Sequence, residues 1–136
     1  MKRIWVKYIL LLWALVTISN QTYGQKTLIS CEKSVFHLGD IEENAGKVSH
    51  VFEVRNEGSS PMVITNVTAS CGCTTPEWTK HPVPAGKIGT IKVTYDPTNR
   101  PGKFMKTIRV YAQGMNNGLI LTIRGNVIKG ESKDIE

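Results

Sequence analysis

From residue 27 to residue 128 apolar and polar positions alternate with a period of two, and no stretch keeps the period of a helix. A strand pair is predicted over residues 28–31 and 34–38. Val48, His50, Phe52 and Val54 share one face of the next strand, with Glu53 and Arg55 on the other. The cluster Asn56-Glu57-Gly58-Ser59-Ser60-Pro61 reads as a turn. Met62 and Ile64 open a strand that runs through Val67. Ile91, Val93 and Tyr95 alternate with Lys92 and Thr94, Phe104, Ile108 and Val110 mark a further strand, and Leu119, Leu121 and Ile123 mark the last. Between them, Pro82-Val83-Pro84-Ala85-Gly86 and Asp96-Pro97-Thr98-Asn99-Arg100-Pro101-Gly102 read as connectors set by Pro and Gly, where Asp and Asn bond local backbone.

About seven short strands in roughly 100 residues predict an all-β fold, an immunoglobulin-like β-sandwich over residues 27–128. The Cys…Trp…Cys core of antibody-type domains is absent. Trp78 falls in a stretch read as a Pro-flanked loop, and Cys71 and Cys73 are too close in sequence to join two sheets. The expectation is therefore another branch of that sandwich type, with no internal repeat.

The first residues change the picture of charge and compartment. Lys2, Arg3 and Lys7 precede an apolar run from Tyr8 to Ile18, then Ser19-Asn20-Gln21 and a small-residue cleavage pattern ending at Gly24. Residues 1–24 are read as a secretory signal peptide, so the domain is expected in the periplasm, at the cell surface or secreted. A retained anchor would need about 20 apolar residues, and Lys7 interrupts the run. A lipobox at Leu28-Ile29-Ser30-Cys31 stands too far beyond the apolar run to be the expected reading. The full chain carries +6, but three of its 17 basic residues and none of its 11 acidic ones lie in residues 1–24, leaving 14 − 11 = +3. Those charges are spread out, which excludes the basic stripe of a nucleic-acid binder. Residues 129–136 form a polar, charged tail.

The one dense constellation is Ser70-Cys71-Gly72-Cys73-Thr74-Thr75-Pro76-Glu77-Trp78. Outside the cytoplasm two cysteines two apart suggest a disulfide. A fully extended i, i+2 pair sits at the edge of bridging distance, and Gly72, which tolerates positive φ, could supply the bend. So small a ring should be strained and readily reduced. Three readings stand. Cys71 or Cys73 pairs with its neighbour or with Cys31 as a staple, the thiols stay free, or the pair is a redox or copper/zinc site with His81 or His50 as an added ligand. The odd count of three leaves one cysteine over. Cys-x-Cys with one distant His lacks the paired spacing of a zinc module, so no cofactor is the main expectation.

Catalytic alternatives are thin. His37, His50 and His81 are scattered, and neither Gly-x-Ser-x-Gly nor His-Glu-x-x-His occurs. Glu42 and Glu43 are adjacent, and adjacent carboxylates point apart. His50 falls on the apolar face of its strand, where a core or boundary histidine is expected.

The order of motifs carries a resemblance. Phe36-His37-Leu38-Gly39-Asp40-Ile41 is followed by Val51-Phe52-Glu53-Val54-Arg55-Asn56-Glu57-Gly58, Pro61-Met62-Val63-Ile64-Thr65-Asn66-Val67 and Ser70-Cys71-Gly72-Cys73-Thr74. Pro84-Ala85-Gly86, Ile91-Lys92-Val93-Thr94-Tyr95-Asp96-Pro97, Gly102-Lys103-Phe104 and Leu121-Thr122-Ile123-Arg124-Gly125 come next. Over about residues 28–128 this resembles the secreted bacterial domain-of-unknown-function family DUF1573. The resemblance implies an immunoglobulin-like fold akin to the domains of Hydin proteins and the major sperm protein, without an assigned activity. It also implies that Cys71 and Cys73 are the leading site candidates, and that Cys31 stands where the family has an apolar strand residue. The expected function is a non-enzymatic module for protein interaction or envelope structure, with an unknown protein partner in the envelope. An open sheet edge is the expected route, and it would accept a foreign strand or a second copy.

Overall fold

The computed structural model describes residues 28–130. The signal peptide expected over residues 1–24 and most of the polar tail lie outside the described residues.

Eight strands form among the described residues: β1 (Ile29–Ser30), β2 (Val35–Glu42), β3 (Val48–Asn56), β4 (Ile64–Ala69), β5 (Thr74–Trp78), β6 (Ile88–Tyr95), β7 (Gly102–Ala112) and β8 (Leu119–Ile128). They build two four-stranded sheets, β1-β3-β6-β5 and β2-β8-β7-β4. Lettered in the immunoglobulin manner these are A-B-E-D and C-F-G, with β2 lying parallel to the last strand at the rim of the second sheet. All other pairings are antiparallel.

The period-two pattern acts as expected. Phe52, Val54, Ile91, Val93 and Tyr95 point inward from the first sheet; Ile41, Val67, Ile108, Val110, Leu121, Ile123 and Val127 meet them from the second. Burying such a set is the main favourable term for a domain of this size.

Three expectations change. Residues 28–31 and 34–38 do not pair with each other: β1 joins β3 and β2 joins β8, so this segment crosses from one sheet to the other. The count is eight because Thr74–Trp78, expected as a loop, is a strand on β6. Trp78 therefore ends a strand instead of lying in a loop. It donates from Nε1 to the Ile64 carbonyl at 3.3 Å, tying β5 to β4 across the sandwich, and the Lys80 ammonium lies over its ring.

Every sheet edge is blunted. β1 is two residues long. β2 is irregular between His37 and Gly39, where Gly39 takes φ +71° and satisfies a conformation that other residues resist. β4 is irregular between Ile64 and Asn66. On β5 the bonds Thr79 N to Thr90 O and Asp96 N to Cys73 O turn the odd-numbered backbone groups toward β6. Pro76 thus stands where its missing N–H would face the open edge. Short strands, bulges and edge prolines all discourage strand addition.

Candidate functional site

The Cys71-Gly72-Cys73 turn is the crossover from β4 in one sheet to β5 in the other. Both of its sides are pinned. Ser70 N donates to Thr107 O at 2.9 Å, and Thr107 N donates back to Ser70 Oγ at 3.2 Å. Asp96 N donates to Cys73 O at 2.9 Å, and Thr74 N to Cys71 O at 3.3 Å.

Cys71 and Cys73 form a disulfide with Cα atoms 5.3 Å apart. Of the pairings left open by sequence, the neighbour pairing is the one the structure contains. Gly72 does not take a positive φ, and a side chain there would meet nothing within 4 Å. The bend is thus made with ordinary backbone angles, without the positive φ that Gly72 could have supplied. In the chain-entropy picture a bridge across so short a loop contributes only about 1.6 kcal/mol, half of what a 15-residue loop gains. Its value as a staple is small.

Cys73 is buried, Cys71 is half-buried, and Gly72 faces solvent. Beneath the bridge lies Thr74, one of two buried polar residues among the described ones. Its Oγ1 lies 3.7 Å from Cys71 Sγ and 3.8 Å from Cys73 Sγ. On the neighbouring strand Ala69 pairs with Ile108 and Ser70 bonds Thr107, where the contacts between β4 and β7 end, and Lys106 is the next residue of β7 beyond them. Lys106 has the inward parity of Ile108 and Val110 and is half-buried. Sequence reading passed over both residues, since a Thr after a Cys and a Lys in an alternating strand carry no signal until the strands are in register.

The other sequence candidates lie elsewhere. Cys31 is a free, half-buried thiol beyond β1. β1 and β5 are opposite edges of one sheet, three strand spacings or roughly 14 Å apart, so no bridge joins Cys31 to the pair. Burial pushes the Cys31 thiol up; the Lys33 backbone N–H opposes this and the Glu53 charge adds to it. A raised thiol is a poor nucleophile. His81 follows the far end of β5, about 13 Å of strand away from the cysteines, so the Cys71, Cys73, His81 ligand set is not assembled. His50 is held between Phe36 and Phe52. Among the described residues no three His, Cys, Asp or Glu side chains gather as a metal-binding group.

The connector after β6 behaves as read. Thr98 N donates to Asp96 Oδ1 at 3.1 Å, and hydrogen bonding from the Thr98 side chain together with this backbone bond holds the Asp96 carboxyl below the usual range. Arg100 donates to the Thr98 carbonyl, a local loop contact.

The outer face of the β2-β8-β7-β4 sheet carries a different feature. Val35, Met105, Ile120 and Ile128 are 40–65% exposed there, interleaved with Arg109, Arg124 and His37. Arg124 Nε donates to His37 Nε2 at 2.8 Å, and Asn126 Nδ2 to Asp40 Oδ1 at 3.0 Å.

Solved structures share this fold. A protein of unknown function from Porphyromonas gingivalis W83 matches with a TM-score of 0.61 at 12% identity, over 74% of this chain and 46% of that one. The Vibrio cholerae VesB protease matches with 0.57 at 18% identity, over 74% and 32%. The YadV chaperone matches with 0.53 at 11% identity, over 78% and 55%. The chain thus spans about half or less of the solved chains it resembles, and at such identities the likeness is one of fold alone. No curated protein matches it. A family model described as "Protein of unknown function (DUF1573)" covers residues 29–127, from β1 into β8, and the chain belongs to that family.

Proposed function

We propose that this chain is an exported, non-enzymatic immunoglobulin-like module that binds a protein partner in the cell envelope. The observation that carries the reading is the outer face of the β2-β8-β7-β4 sheet. Of six exposed large apolar side chains among the described residues, four (Val35, Met105, Ile120 and Ile128) stand on that face. Interfaces are enriched in Met, Arg and aromatic side chains, and here Met105 and Tyr111 stand among Arg109 and Arg124. The fitting partner offers apolar surface with carboxylates to meet the two arginines. The blunted edges redirect the expectation of strand addition: the face, not an edge, is the route. Export is supported by the leader-like pattern of residues 1–24.

Photocrosslinking in the native host tests this. A photoreactive residue at Met105 should give a discrete adduct that I120E abolishes without lowering the melting temperature. The same residue at Lys92, on the opposite face, should give none. No adduct at Met105, or the same adduct from Lys92, overturns the reading.

A further inference from the structure

The binding reading makes no use of the cysteine bridge, and three observations at the bridge point to chemistry of its own. Thr74 is 4% exposed, yet the hydrogen-bond partners of its hydroxyl among the described residues are the two bridge sulfurs. Sulfur in this state is a weak acceptor, and a buried hydroxyl facing only weak acceptors is costly. Against a thiolate the same hydroxyl makes a short, charge-assisted bond. The site is therefore better satisfied electrostatically once the bridge is open. Independently, Lys106, inward in parity and half-buried, follows on β7 directly from Thr107, which bonds Ser70, the residue before Cys71. A neighbouring ammonium favours a thiolate. Finally, the two sulfurs differ in access: Cys71 is half-buried beside the open Gly72, and Cys73 is buried.

We propose that Cys71–Cys73 is a thiol–disulfide exchange site cycled by a protein dithiol, with Thr74 and Lys106 as positioning residues for the thiolates. One thiol of the partner, deprotonated to solvent, attacks Cys71 Sγ. A mixed disulfide forms, the Cys71–Cys73 bond breaks, and Cys73 leaves as a thiolate that the Thr74 hydroxyl bonds until solvent protonates it. The partner's second thiol loses its proton and attacks its own sulfur in the mixed disulfide. Cys71 departs as a thiolate that solvent then protonates, and the partner is left oxidised. Two electrons pass to this chain, and the two protons lost by the partner balance the two taken up here. In the reverse direction Cys71 is the attacking sulfur and Cys73 resolves the mixed disulfide.

The exported full chain in a Cys31→Ala background, with dithiothreitol as the probe, provides the test. After native incubation and alkylation, mass spectrometry should find both Cys71 and Cys73 labelled while the far-ultraviolet sheet signal is unchanged. With Cys73→Ser, glutathione disulfide should trap a mixed disulfide on Cys71. K106M should move the pH profile of Cys71 alkylation upward by about one unit, and K106R should leave it in place. T74V should slow exchange about tenfold, and T74S should restore it. A bridge that opens only after the strands unfold overturns the proposal. So do K106M and T74V variants that keep both the wild-type profile and the wild-type rate.

Discussion

Phe36 lies flat against His50, with ring centroids 3.5 Å apart and planes 7° from parallel. The two residues come from different sheets, so the stack crosses the sandwich, and Phe52 closes the other side edge-on at 4.7 Å. Burial holds the His50 imidazole below its ordinary range. A base whose folded value is depressed binds its proton more readily when unfolded. Stability is therefore full above the unfolded value near pH 6.5 and is lost as pH falls through it toward the folded value. The melting temperature should be level above neutrality and decline as pH falls below about 6.5 through the weakly acid range. His50→Phe should remove most of that decline, as read by calorimetry across the same window.

Two glycines should respond in opposite ways. Gly72→Ala meets open space and no positive φ, and its effect should stay within about 0.5 kcal/mol. Gly125 is different: a Cβ there would lie 2.8 Å from the Gly39 carbonyl and 3.0 Å from the Phe104 ring, which stacks on Tyr95. Gly125→Ala should cost about 1–3 kcal/mol by denaturant titration.

Asn56 should prove more than a turn residue. It is 1% exposed, donates to the Ser60 and Val83 carbonyls at 2.8 and 2.9 Å, and accepts from Gly58 N at 2.9 Å. Asn56→Ala leaves these groups unpaired and should cost about 2–3 kcal/mol. Asn56→Asp places a carboxylate against two carbonyls. That variant's carboxyl should be raised in the folded state, so its stability, measured by urea unfolding, should fall further as pH climbs out of the acid range.

Cys71→Ser should lower stability by only about 1.6 kcal/mol, with the strands intact by circular dichroism. A loss of fold would mean that the crossover depends on the bridge more than its loop length allows.

These residues mark what the sequence could and could not express. Alternation made β3, β6, β7 and β8 readable, because one face of each is buried and the other wet. β5 escaped because its register is set from outside, by the rungs from Thr74–Tyr95 to Trp78–Ile91, while Pro76 and the two threonines give it no apolar rhythm of its own. The division of the first strand pair between the two sheets was hidden for the same reason, since period two says which side is buried but not which neighbour pairs. Cys71 and Cys73 stood out by residue type alone. Thr74, Lys106 and Asn56 did not, because their roles arise only from what the pairing sets beside them.

The parallel pairing of Val35–Glu42 with Thr122–Ile128 has a mechanical consequence. Tension applied between the start of β2 and the end of β8 runs along both strands in opposite directions. The rungs between them are then loaded together in shear, instead of opening one after another like a zip. A module strung end to end in an envelope would gain resistance to pulling from this arrangement, and the limiting quantity would be its unfolding rate under load.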